Sequence, residues 1–299
     1  KGLVPFVDGR QMPYIAWTDE YWANLIDLYE AISPGNPLID AARRAVPGIK
    51  EADIQILAEF PTRSQPTPIP PTPTSEPTAT AEEEMFAEMR HLMVERTIRA
   101  REVSNPEVLQ AMETVPRHRF VLDRYLGQSY ADHPLPIGYG QTISQPYIVA
   151  LMTELLGLKP GERVLEIGTG SAYQAAVLAE LVNEVYSIEI IPELAESAAQ
   201  RLQELGYDNV RTKQGDGYYG WEEYAPFDAI IVTCAPDHVP QPLVNQLAEG
   251  GRLVVPIGPP GGYQTLWQYV REEEGLKAYN LGGVRFVPLL REVPEQSGG

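Results

Sequence analysis

Three acidic residues, each close to the end of a predicted strand, frame the chemistry of this sequence: Glu166, Glu189 and Asp216. Glu166 opens the spacing E-x-G-x-G-x-A within VLEIGTGSAYQAA (164–176), with Gly168, Gly170 and Ala172 at the marked places. An apolar run that breaks into glycines and resumes at helical spacing predicts a strand, a tight loop and a helix, where open parallel sheets hold nucleotide-like ligands. The dinucleotide pattern G-x-G-x-x-G requires a small third residue, and here that position is Tyr173. Its ring weighs against a pyrophosphate and a hydride-transferring dehydrogenase. Glu189 follows Gly170 by 19 residues, the place of a carboxylate that accepts from both ribose hydroxyls. Asp216 lies between Gly215 and Gly217, where it suits an adenine amino group or is simply a turn aspartate.

Other reactive side chains offer less. Cys234 is the single cysteine and ends an apolar run, which predicts a small buried hydrophobe rather than a redox thiol. His91, His118, His133 and His238 show no ligand spacing, so no metal site is expected.

The frame Glu166, Gly168, Gly170, Ala172 resembles the first motif of S-adenosylmethionine-dependent methyltransferases, a ligand with no phosphate to cradle. The fourth predicted strand ends in TCAPDHVP, without the Asn-Pro-Pro-aromatic motif of many amino-group methyltransferases. More specifically, VPRHRFV, PLPIGYGQTISQP, VLEIGTGSAYQAAVLA, GDG, PFDAIIVTCAP, LAEGGRLVVPIG and RFVPL resemble, in order and spacing, the protein-L-isoaspartate O-methyltransferase family over about Glu88 to Leu290. The resemblance implies a Rossmann-like class I fold and methyl transfer from S-adenosylmethionine to the free carboxyl of L-isoaspartyl, and by extension D-aspartyl, residues in damaged proteins or peptides. The ester then closes to a succinimide without enzymatic help. An acceptor carboxylate with a pKa of about 4 is already ionised at neutral pH, so no general base is required.

The same resemblance places Ser144 beside the acceptor carboxylate; Ser144 before Gln145-Pro146 also reads as a helix N-cap. Thr142 and Ile143 are placed along the cofactor, as are Glu166, Gly168, Gly170, Glu189, Asp216 and Gly217. Ile190, standing where the family often has arginine, is set at the ligand's edge. Arg285 could offer its guanidinium to substrate or sit on a solvated strand, and solvent is the expectation. Ala172 replaces the family's third glycine, a change tolerated if it enters the helix with negative φ and costly if φ is positive. Methylation of another small carboxylate or hydroxyl, or an inactive binding protein of the same fold, is the alternative.

These residues must be held by a frame that the sequence also outlines. From Arg163, strands RVLEIG, EVYSIE, VRTKQG, FDAIIVTC and RLVVPIG alternate with helices SAYQAAVLAELV, PELAESAAQRLQELG and VPQPLVNQLAEGG. Short apolar runs alternating with helices predict an α/β domain, a mostly parallel sheet covered on both faces. TLWQYVREE and VRFVPLL are expected as an added antiparallel edge, and Glu82 to Arg101 and Pro106 to Val115 as helices before the sheet. Pro61 to Ala81 is a Pro/Thr-rich linker, so the organisation is a small helical segment over 1–60, a linker over 61–81 and the methyltransferase domain over 82–299. In the first segment, Thr18 caps a helix bearing Tyr21, Trp22, Leu25, Leu28, Tyr29 and Ile32 on one face, with a second helix near Ile39 to Val46.

The formal net charge of −18 repels phosphate backbones, which excludes nucleic acid as an expected partner. No stretch reaches the roughly 20 apolar residues of a membrane helix. A monomer is expected. Cofactor supply points to the cytoplasm, whereas the Pro/Thr-rich linker and a start at Lys1 point to an extracytoplasmic alternative.

Overall fold

Short aliphatic and β-branched runs form one seven-stranded sheet in the computed structural model, which describes residues 6–7, 10–11, 79–101 and 103–293. The chain divides into units Lys1–Thr74 and Ser75–Gly299. In the first, β1 (Phe6–Val7) and β2 (Arg10–Gln11) pair antiparallel. The helices expected after Thr18 and near Ile39 to Val46 lie outside the described residues, as does most of the linker.

The second unit begins with α1 (Ala79–Met93), whose start lies inside the expected linker. A π-helical turn over Val94–Ile98 and a 3-10 turn over Arg99–Arg101 follow. Helix α2 (Pro106–Thr114) starts as its sequence dictates: Asn105 Oδ1 accepts from the amides of Glu107 and Val108, and Pro106 fills the first turn. A hairpin of β3 (Leu135–Gly138) and β4 (Gln141–Ile143) leads into α3 (Pro146–Leu156).

The sheet comprises β5 (Arg163–Ile167), β6 (Glu184–Glu189), β7 (Val210–Gln214), β8 (Phe227–Val232), β9 (Leu247–Ile257), β10 (Gln264–Glu272) and β11 (Gly275–Val284). Their spatial order is β11-β10-β9-β8-β5-β6-β7, parallel from β9 to β7 and antiparallel at β10 and β11. The order reverses at β5, which lies between β6 and β8, and the cleft of an open sheet is expected there. Side chains of β5 alternate: Val164 joins the apolar cluster on one face, and Leu165 and Ile167 join that on the other. On the Val164 face pack α3, α4 (Tyr173–Ala179) and, further out, α5 (Pro192–Glu204). The Leu165 face is covered by α6 (Gln241–Asn245) and by two 3-10 turns in place of a helix between β7 and β8. There Tyr186, Trp221, Tyr224 and Phe227 interlock at ring separations of 4.5 to 5.7 Å.

Two expectations near the end of the sheet change. Residues 247–251, expected as helix, open β9 instead, with Leu247 opposite Phe227 across a bulge. The outer edge strand is Gly275–Val284, not Val284 to Leu290; Pro288 lacks the amide that a ladder requires. Beyond Val284 the chain runs as a strap, fixed where Ala235 N donates to Val287 O (2.8 Å) and Leu289 N donates to Ala235 O (2.9 Å).

Candidate functional site

At the carboxyl ends of β5, β6 and β8 lies a cleft with about 720 Å³ of space, its open mouth included. The loop at 168–171 forms its floor. Gly168 has φ +98°, and a Cβ there would lie 2.6 Å from Thr233 Oγ1, so the position admits glycine alone. The Thr233 hydroxyl is 2.7 Å from Gly168 O and ties the loop to the end of β8. Ala172 adopts φ +72°, ψ 9°, fully buried at the start of α4: of the two conformations considered, it takes the costly one. It ends a turn over 169–172 closed by Ala172 N donating to Thr169 O (2.8 Å), and its left-handed backbone leads directly into α4.

Glu189 holds the loop from the neighbouring strand. Its Oε2 accepts from Gly170 N (2.8 Å) and its Oε1 from Ile191 N (3.0 Å). Glu166 is fully buried; one oxygen accepts from the Ser187 hydroxyl and Oε1 has no partner. Burial, with Glu189 adding repulsion, pushes the Glu166 carboxyl up to about 8. Burial likewise pushes the Cys234 thiol up, consistent with the inert small hydrophobe read from sequence.

Across the floor stands the turn from β4 into α3, with Gln141, Thr142, Ile143 and Ser144 in the wall. Ser144 is half-buried, and its hydroxyl makes no hydrogen bond within the described residues. It does not cap α3: the cap position is Gln145, and the first-turn amide of Tyr147 donates to Asp132 Oδ1 at 3.0 Å. The N-cap reading of Ser144 is thereby replaced by a cap reaching in from Asp132.

Nine of the ten expected residues line one cleft: Thr142, Ile143, Ser144, Glu166, Gly168, Gly170, Glu189, Ile190 and Gly217. Asp216 stands beside it, its carboxylate accepting from Tyr218 N (2.9 Å) and from Arg291 Nε (2.8 Å). Arg285 is exposed, as expected, with its guanidinium 5.4 Å from the Tyr263 ring centre. Sequence reasoning missed Thr233 and the strap residues Val287 to Leu290 as lining. Pro288 was the available signal, since proline demotes a run from strand to loop. Among the lining residues two carboxylates face the space and no Lys, Arg or His does. No group of three or more His, Cys, Asp or Glu suited to a metal occurs among the described residues. An acid-lined cleft with an unpartnered buried carboxylate oxygen, closed to a Cβ at Gly168, fits a cationic nucleoside better than a phosphate.

Residues 88–293 match the family model described as protein-L-isoaspartate (D-aspartate) O-methyltransferase. The protein-L-isoaspartate O-methyltransferase of Picosynechococcus sp. is 56% identical over 67% of this chain and 90% of its own length. That of Gloeobacter violaceus is 54% identical over 68% of this chain and 100% of its own. Among solved structures, a protein-L-isoaspartate O-methyltransferase superposes with a TM-score of 0.62 at 32% identity, covering 70% of this chain and 67% of that one. The Plasmodium falciparum beta-aspartate methyltransferase in complex with S-adenosyl-L-homocysteine gives 0.60 at 27% identity, covering 68% and 99%.

Proposed function

This chain belongs to the protein-L-isoaspartate (D-aspartate) O-methyltransferase family, and on that footing we propose how the residues of its cleft divide the work. The enzyme transfers a methyl group from S-adenosylmethionine to the free carboxylate of L-isoaspartyl residues in damaged proteins, opening the route through a succinimide back toward normal aspartate. When bound, the cofactor supplies a methyl group activated by a sulfonium leaving group.

The observation that carries the division is the acid-only cleft with the Ser144 hydroxyl on one wall and the glycine loop on the other. Glu189, already fixed by two main-chain amides, would accept from the ribose hydroxyls, and Glu166 Oε1 from the ammonium of the methionine end. Gly168 and Gly170 give the close backbone approach, Thr142 and Ile143 the opposite edge, Ile190 and Gly217 the adenine side, with Asp216 accepting from its amino group. Ser144 Oγ orients one oxygen of the acceptor carboxylate. The acceptor is ionised at neutral pH, so no residue need remove a proton, and rate arises from alignment and from water exclusion beneath the strap. Activity belongs to the unit from Ser75 onward, working as a monomer in the cytoplasm, where the cofactor is made.

The test is transfer of labelled methyl to an isoaspartyl peptide and to its normal aspartyl twin; equal labelling, or none, overturns the reading. Ser144→Ala should slow turnover while S-adenosylhomocysteine binds almost as before. A variant that is merely less stable would return Ser144 to a structural role.

A further inference from the structure

The VPRHRFV stretch contributes nothing to the lining of the cleft, yet Arg117 is the one Arg or Lys among the described residues whose side chain is buried, at 0% exposure. Its Nε donates to Ser129 O (2.8 Å) and its Nη2 donates to Ser144 O (2.8 Å). The guanidinium carbon lies 4.8 Å from the ring centre of Tyr173, the first residue of α4 beside the glycine loop. Nη1 has no hydrogen-bond partner. The carboxylate that faces it, Asp132, is taken by Arg101, Gln145 and the Tyr147 amide. Burial pulls the Arg117 guanidinium down to about 10, so it stays charged at neutral pH and both of its hydrogen bonds are charge-assisted.

A buried cation without a counter-ion is costly, and apolar side chains of similar volume often fill such a position more stably. What this arginine does that an apolar side chain cannot is join both walls of the cleft. It grips the main chain of Ser144 on the acceptor side and lies across Tyr173 on the cofactor side. Alignment of reacting groups is where this reaction gains its rate, and a displacement of about 1 Å is enough to cost on the order of a hundredfold.

We propose that Arg117 is a positioning residue for methyl transfer, fixing Ser144 at its separation from the glycine loop. The inference rests on the acceptor role of Ser144. Arg117→Lys keeps the charge but cannot form the two-carbonyl fork. It should lower kcat on an isoaspartyl peptide by about 10- to 100-fold while leaving S-adenosylhomocysteine affinity within about threefold. Because the arginine acts through the serine, Ser144→Ala combined with Arg117→Lys should be no slower than Ser144→Ala alone, within about twofold. Near-normal kcat in Arg117→Lys, losses that multiply in the double variant, or a parallel fall in cofactor affinity would each overturn the proposal. Unimpaired turnover by Ser144→Ala removes the serine's own role, a distinct result, and the premise falls with it. Should Arg117→Lys not fold, Arg117→Gln, able to reach one carbonyl, serves in the same comparison.

Discussion

Ala172 is held left-handed in a fully buried turn, a conformation that costs an L-residue roughly 1–2 kcal/mol and a glycine almost nothing. Ala172→Gly should therefore raise stability by about 1 kcal/mol, less than the full strain because the unfolded chain gains freedom and a packed methyl is lost. Thermal melting checks this; a lower melting temperature would mean that the methyl's packing outweighs the strain. Glu166 supplies a pH signature. Its folded pKa is raised from 4.5 to about 8, so between those values the folded protein keeps a proton that the unfolded chain has lost. The stabilisation is complete below pH 4.5 and disappears as pH climbs toward 8. In ligand-free protein, melting temperature should fall across that window more steeply for the wild type than for Glu166→Gln. Identical slopes would show that Glu166 is ionised throughout.

The strap after β11 acts as an element although it is neither helix nor strand. Two main-chain hydrogen bonds attach it to Ala235, and the half-exposed Arg291 closes it on Asp216. Exposed ion pairs contribute only about 0–1 kcal/mol, so Arg291→Ala should hardly alter melting. S-adenosylhomocysteine should nevertheless dissociate several-fold faster, as stopped-flow displacement would show, because the carboxylate beside Gly217 loses its support. Why some elements were legible and others not follows from burial. β5, β6 and β8 are almost wholly buried, so their apolar runs announce them. β11 is exposed along most of its length, and LKAYNLGG carries no alternation to read. Leu247, Ala248 and Glu249 are helix-compatible types, and the strand state that replaces the helix is anchored where Leu247 pairs with Phe227 of β8, a contact that a local pattern does not contain. The glycine loop and Glu189 were legible because their chemistry demands particular residue types. Arg117 was not, since its importance lies in partners 12 and 27 residues away.

For the whole molecule, charge and architecture act together. A chain of net charge −18 whose cleft lining holds no Lys, Arg or His repels an anionic acceptor during approach and favours one carried on a basic segment. An isoaspartyl peptide flanked by lysines should show a higher kcat/KM than one flanked by glutamates. The two should converge as ionic strength rises and the screening length falls from about 10 Å toward 3 Å. Equal values at low salt would mean that the peptide docks beyond the reach of this field. The strap brings a further consequence, because its adjacent residues Leu289 and Leu290 pack into different apolar clusters, one beneath the sheet and one among the helices. Each cluster therefore closes one side of the same doorway. Spent cofactor is expected to leave as this strap opens, so amide exchange at Ala235 and Leu289 should keep pace with product release; exchange far slower than turnover would break the link.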